Sequence, residues 1–191
     1  MPAIAKVTKE MIINAAFEIA KEMGAENINA RTVSQKLGCS TQPVLYHFKT
    51  IEDVRIAAHK KASEFHINYV TNISGKYERP MLEVGMRHIQ LAIEEKNIFR
   101  FLFHSNYNTD VSLFDWLTGE NFDSLFPILK KQAKVDEQQA YIIFSQIFLV
   151  THGIASLLAN NAMVYDEVYC INTLSNAYLG IMYLIRGGGL L

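Results

Sequence analysis

The chain has 191 residues, half of them hydrophobic, and a formal net charge of −1 at pH 7. That length lies at the upper end for a single domain and supports a sizeable core. With four prolines and ten glycines and no alternating apolar–polar run, a chain built of strands is excluded and a soluble all-α protein is expected. Cys39 and Cys170 are too few and too far apart for a disulfide framework or a metal knuckle, which points to a reducing compartment. The opening MPAIAKVTKE lacks an apolar core of signal-peptide length, so a cytoplasmic location is expected.

The small net charge conceals an asymmetry. Residues 1–61 carry nine Lys/Arg against six Asp/Glu, whereas residues 62–191 carry nine against thirteen. A basic lobe followed by an acidic one suggests a polyanionic partner for the first part alone.

In chain order, Thr8 is a suitable N-cap, and Ile12, Ile13, Ala16, Ile19, Ala20 and Met23 fall on one helical face. A first helix from Thr8 to about Met23 is expected, ended by Gly24. Asn29 can cap a second, Ala30–Leu37, stopped by Gly38. The next stretch, Leu37–Lys49, reads LGCSTQPVLYHFK and places a proline within what should be a third helix, Thr41–Phe48. With Ser40 as N-cap, Pro43 occupies the first turn, where amide hydrogens have no helical partner and proline loses nothing.

Helix, glycine turn, helix is the layout of a helix-turn-helix reader. Val44 and Phe48 are four apart and can face the preceding helices, leaving Thr41, Gln42, Leu45 and Tyr46 on the outer side. Residues early in a recognition helix touch base edges. Gln42 can pair with adenine and Thr41 can hydrogen-bond or meet a thymine methyl. Tyr46, His47 and Lys49 can hold phosphates, and Arg31 and Thr32, at the start of the second helix, can do so through free amides and the dipole.

The run Asn29–Val54, NARTVSQKLGCSTQPVLYHFKTIEDV, resembles the DNA-binding signature of TetR-type transcriptional regulators. The shared features are the polar cap, the V-S-Q-K-L-G-C-S run, the aromatic-His-Phe-Lys ending and an acidic helix start soon after. The resemblance covers about the first quarter of the chain. Leu45 and Ile51 depart from it, standing where the family usually has tyrosine and lysine. It implies a helix-turn-helix DNA-binding domain over 1–50 and a helical ligand-binding and dimerisation domain of about six helices over 51–191. The DNA-contacting set it marks is Arg31, Thr32, Ser40, Thr41, Gln42, Pro43, Leu45, Tyr46, His47 and Lys49.

Beyond Lys49, periodicity predicts helices over Ile51–Ile73, Arg79–Glu95, Asn97–His104, Ser112–Lys134 (broken near Gly119 or Pro127), Glu137–Asn160 and Glu167–Arg186. The last two are rich in small residues, with Gly153, Ser156 and Ala159 on one and Ser175, Ala177 and Gly180 on the other. Ile171, Leu174, Tyr178, Leu179, Met182 and Ile185 supply apolar area. Paired with a second copy these helices would form a four-helix bundle, so a homodimer is expected through them. The stretch Gln138–Tyr165 has no charged residue, yet it carries Gln146, Thr151, His152, Asn160 and Asn161. A helix buried in a bundle fits that composition better than a membrane span, and no membrane partner is expected.

Aromatic residues concentrate between the DNA-reading and dimerisation segments. Phe99, Phe103, Tyr107, Trp116, Phe122 and Phe126 fall there, followed by Tyr141 and Phe144. A cavity for a drug-sized molecule is lined by such groups with a few polar ones, for which His88, His104, Gln146 and His152 are the candidates. His59 and His66 share a helix face and are expected to be solvated. No phosphate loop, zinc-protease pattern or nucleophile elbow occurs, and no enzyme, cofactor or metal is expected.

The sequence thus suggests a ligand-responsive repressor that binds a palindromic operator as a dimer and is released by a small apolar or amphipathic effector. The other readings are the same fold serving as a ligand- or protein-binding module without DNA, and an enzyme built on a helical bundle.

Overall fold

A computed structural model describes residues 7–106 and 123–187, and the described residues hold nine α-helices and no strand. The helices are α1 Lys9–Met23, α2 Ala30–Lys36, α3 Gln42–His47, α4 Ile51–Thr71, α5 Pro80–Glu94, α6 Lys96–Phe103, α7 Phe126–Ala133, α8 Glu137–Ala159 and α9 Glu167–Ile185. The chain is all-α, as its composition requires. It divides into two compact units, Met1–Phe65 with Glu95–Thr109, and His66–Glu94 with Asp110–Leu191.

In the first unit, α1 starts where Thr8 Oγ1 accepts the Met11 amide at 3.2 Å. Ile12, Ala16, Ile19 and Ala20 are buried as their spacing demands, whereas Met23, at the helix end, is exposed. Gly24 closes α1 at φ 96°, a conformation that side chains resist. Asn29 and Thr32 form a reciprocal capping box at α2. The end of α2 is a Schellman turn: the Gly38 amide donates to Gln35 O and the Cys39 amide to Ser34 O, with Gly38 at φ 63°. Because this turn carries the chain as far as Ser40, α3 begins one residue later than expected. Thr41, already helical at φ −72° and ψ −16°, holds the cap position in place of Ser40. Phe48 leaves the helix in an extended conformation and is buried beside Val44. These groups share one core with Ile28, Val33, Val54 and, from α6, Ile98, Phe101 and Leu102.

In the second unit α5 packs against α8 and α9. Gly85 eases this: a Cβ there would lie 3.1 Å from Leu174 Cδ1, so that side chain would have to give by a few tenths of an ångström. Of the helix expected over Ser112–Lys134, residues 112–122 lie outside the described residues, and the described part holds α7. Residues 123–125 are a turn, and Pro127 lies in the first turn of α7. A second capping box, Asp136 with Gln139, opens α8, and Asp166 caps α9.

Both α8 and α9 are long and apolar enough to cross a bilayer by length and composition, but α8 buries Ile143, Phe144, Ile154 and Leu158 within this unit. The outer faces carry Leu149, Leu157, Leu179 (58% exposed) and Tyr183 (66% exposed). Among the described residues nothing lies within 4 Å of where a Cβ would stand on Gly153 or Gly180. Leu174 and Met182, expected on this outer surface, point into the unit's own core instead.

Candidate nucleic-acid interface and ligand cavity

The helix-turn-helix presents one face of α3 outward. Val44 is the buried pivot, while Gln42, Leu45 and Tyr46 are exposed, Tyr46 by 80%. Arg31, Ser40, Thr41 and Lys49 are also exposed, and Thr32, Pro43 and His47 are half-buried. The Gln42 carboxamide offers a donor and an acceptor in one plane, the pairing that adenine presents in a major groove. Tyr46 and Lys49 extend the same surface with a hydroxyl and an ammonium, groups suited to phosphate.

Two expected contacts are arranged differently. Asn29 Oδ1 accepts the amides of Arg31 and Thr32 at 3.1 and 3.0 Å, so they are not free for a phosphate. The Thr32 hydroxyl is likewise engaged, donating to Asn27 O at 2.6 Å and accepting from the Asn29 amide at 3.1 Å. A strong N-cap and an anion site compete for the same donors, and in this helix the cap takes them. His47 Nε2 lies 2.9 Å from the Val7 carbonyl, tying α3 to the segment before α1. Its ring braces the unit, and the outward polar groups of α3 are its neighbours.

The second unit contains a cavity, with about 710 Å³ of empty space counted together with the open solvent at its mouth. Its wall is mainly aliphatic and aromatic, with Val84, Leu129, Ile143, Phe144 and Phe148 prominent. Of the residues expected to line such a cavity, His88 and Phe144 do so. His152 stands immediately behind His88. Phe126 meets Phe144 and Tyr141 edge to face, with ring centroids 5.1 Å and 4.4 Å apart. Gln146 is exposed on α8. Phe99, Phe103 and His104 belong to the first unit, where Phe99 is fully buried core. Tyr107, Trp116 and Phe122 lie outside the described residues.

Sequence reasoning missed the polar lining: His66, Arg79, Gln132, Thr151, Ser175 and Tyr178. His66, expected in solvent, is only 3% exposed. It begins a chain of hydrogen bonds in which His66 Nε2 lies 3.0 Å from His88 Nδ1, His88 Nε2 lies 3.4 Å from His152 Nδ1, and His152 Nε2 lies 3.2 Å from Ser156 Oγ. The rings bond end to end instead of converging on a point. Burial, with the field of His152 added, pushes His66 down to about 4. Burial, then the fields of His66 and His152, holds His88 well below its ordinary value. Both are therefore neutral at neutral pH, when one ring nitrogen donates and the other accepts, as a head-to-tail chain requires.

No family model matches the sequence, and no curated protein matches it. A TetR-family transcriptional regulator from Streptomyces coelicolor superposes with a TM-score of 0.71 over 92% of this chain and 82% of that one, at 12% sequence identity. The chain therefore has the fold of that regulator: a helix-turn-helix unit followed by a larger helical one. At such identity the likeness establishes fold and leaves function to be argued from the sites.

Proposed function

We propose that this chain, folded as a TetR-family regulator is, is a DNA-binding transcriptional repressor that acts in the cytoplasm as a homodimer. It binds a palindromic operator through α3 and is released when a small apolar or amphipathic molecule enters the cavity of the second unit. The observation that carries the reading is the exposed face of α3, where Gln42 and Tyr46 stand outward on a helix anchored by buried Val44. A polar surface on a short, prolyl-initiated helix after a glycine turn is shaped for a major groove. The chain works by binding, not by turnover. By linkage, operator and effector must weaken each other's affinity by the same factor.

A mobility-shift titration with the chain's own upstream DNA tests this, with salt as the second variable. A salt-sensitive shift is expected; no shift at micromolar protein would support a ligand- or protein-binding module that has no DNA partner. That second reading draws on the engaged Thr32 hydroxyl, the inward bond of His47 and the apolar Leu45 on the reading face. Gln42→Ala is expected to cost about 1–3 kcal/mol of discrimination between the operator and a version altered at the contacted base. Lys49→Ala should instead weaken all sequences alike and flatten the salt slope by about one. An unchanged base preference in the first variant, or a changed one in the second, refutes the role concerned.

The exposed apolar strip of Leu149, Leu157, Leu179 and Tyr183 beside Gly153 and Gly180 supports dimerisation through α8 and α9. Leu179→Glu places a charge in the middle of that strip. Light scattering coupled to size exclusion should then report 21.7 kDa where the parent chain gives twice that mass. A variant that stays at the parent's mass would move the interface elsewhere.

A further inference from the structure

The polar groups that line the cavity fall into two sets. His66 and His88 are bonded to each other and onward to His152, and the Thr151 hydroxyl donates to Ile147 O at 2.7 Å. This end is satisfied without a ligand. At the other end, Gln132 of α7 accepts the Met81 amide on its Oε1 at 2.9 Å, while among the described residues its buried Nε2 has no hydrogen-bond partner. A buried donor left unmade is costly, about 1–3 kcal/mol, and it marks a place where a ligand acceptor is wanted. Arg79, just before α5, lines the same end. Its Nη2 donates to Ser175 Oγ at 3.1 Å, and its guanidinium lies over the Tyr178 ring at 5.7 Å. Among the described residues no carboxylate pairs with it. A guanidinium with spare donors at an apolar cavity is a fork for an oxyanion.

The geometry points to an amphipathic organic anion, a single carboxylate on an unbranched apolar body, bound with its head at Arg79 and Gln132 and its tail running toward His88. This assignment rests on the reading of the cavity as the effector site. Nine residues of mostly helical chain separate Arg79 from His88, about 13 Å, the length of an extended ten-carbon acid. The tail meets Leu129, Ile143, Phe144 and Phe148, where each buried methylene contributes up to about 0.8 kcal/mol. The neutral histidine pair at the far end presents no charge to a hydrocarbon tip.

Calorimetric titration of the full chain, free of DNA at pH 7.5, with decanoate, decanol and decyltrimethylammonium tests the assignment. Decanoate is expected to bind about tenfold or more tightly than decanol, and the cation not at all. Arg79→Met should lower decanoate affinity about tenfold or more and leave decanol within about twofold. Should that variant fail to fold, Gln132→Glu carries the test. It keeps the acceptor for the Met81 amide but sets a negative charge against the ligand head, and decanoate should again be lost selectively. Equal affinities for acid and alcohol, equal losses of both in the variants, or no binding of decanoate would overturn the assignment. A chain that shifts DNA yet ignores decanoate sinks this inference alone; one that takes decanoate and shifts no DNA sinks the regulator reading alone.

Discussion

Lowering the pH from 7 to 5 is expected to remove about 2 kcal/mol of folding stability through His66 alone, with His88 adding to the loss in the same direction. In the unfolded chain these imidazoles titrate near 6.5, whereas in the folded chain His66 sits at about 4 and His88 well below its ordinary value. Between those limits the unfolded state binds more protons, so stability rises with pH there and falls as acid is added. The loss begins as pH drops through 6.5 and, for His66, saturates below about 4. Among the described residues, Phe148, Thr151 and His152 of α8 stand at this end of the cavity, and none of these three carries a negative charge to hold an imidazolium. His59, in the first unit, is lowered as well, by burial that outweighs the carbonyl of Leu102, so the wild-type curve alone does not isolate the buried pair. Urea denaturation followed by circular dichroism at pH 7, 6 and 5 measures the slope, and a His66→Leu, His88→Leu variant isolates its source. The variant should lose most of the pH dependence in this window. Parallel curves for parent and variant would remove the histidine chain as the cause.

The same chain shows where sequence reasoning reaches and where it stops. Helix caps were legible because their donors and acceptors are three residues apart: Thr8 with Met11 and Asn29 with Thr32 bond as their spacing requires. The outward face of α3 was legible for the same local reason, since Val44 and Phe48 fix which side is buried. Ser40 lost the cap to Thr41 because the Schellman turn at Gly38 and Cys39 takes one residue more than a minimal turn. His66 was legible and misread. It belongs to the stripe Val54, Ala58, Ala62, His66 and Val70, spaced every four residues, every member of which is buried, so periodicity outvoted polarity. The cavity lining was not legible: Arg79, Gln132 and Ser175 come from before α5, from α7 and from α9. No local period relates them, and aromatic richness cannot separate Phe144, which lines the cavity, from Phe99, which fills a core.

Replacing Glu83 by alanine should cost about 2–3 kcal/mol of stability, and it should weaken the cavity's grip on an anionic ligand in the molecules that remain folded. Glu83 lies in the first turn of α5 and is buried. Its Oε1 accepts from the Ser74 amide at 2.5 Å and the Ser74 hydroxyl at 2.7 Å, and its Oε2 accepts from the Gly75 amide at 3.0 Å. Burial pushes this carboxyl up, but the bonds from Ser74 and Gly75 and from the Tyr77 backbone more than offset it and leave it below its ordinary 4.5. Its stabilisation is therefore complete above 4.5 and lost as pH falls through the lowered folded value, below the interval where the histidines act. Between pH 7 and 5 the Glu83→Ala deficit should accordingly stay constant while the histidine contribution changes. Alanine removes the acceptor that holds the Ser74 and Gly75 amides in the turn that leads to Arg79, so the position of that guanidinium depends on a carboxylate that never meets the ligand. Glu83→Gln keeps one oxygen for Ser74 but turns an amide donor on Gly75, and about 2 kcal/mol is the expected loss. If Glu83→Ala unfolds within about 0.5 kcal/mol of the parent, the turn holds itself, and Arg79 owes its place to Ser175 and Tyr178 alone.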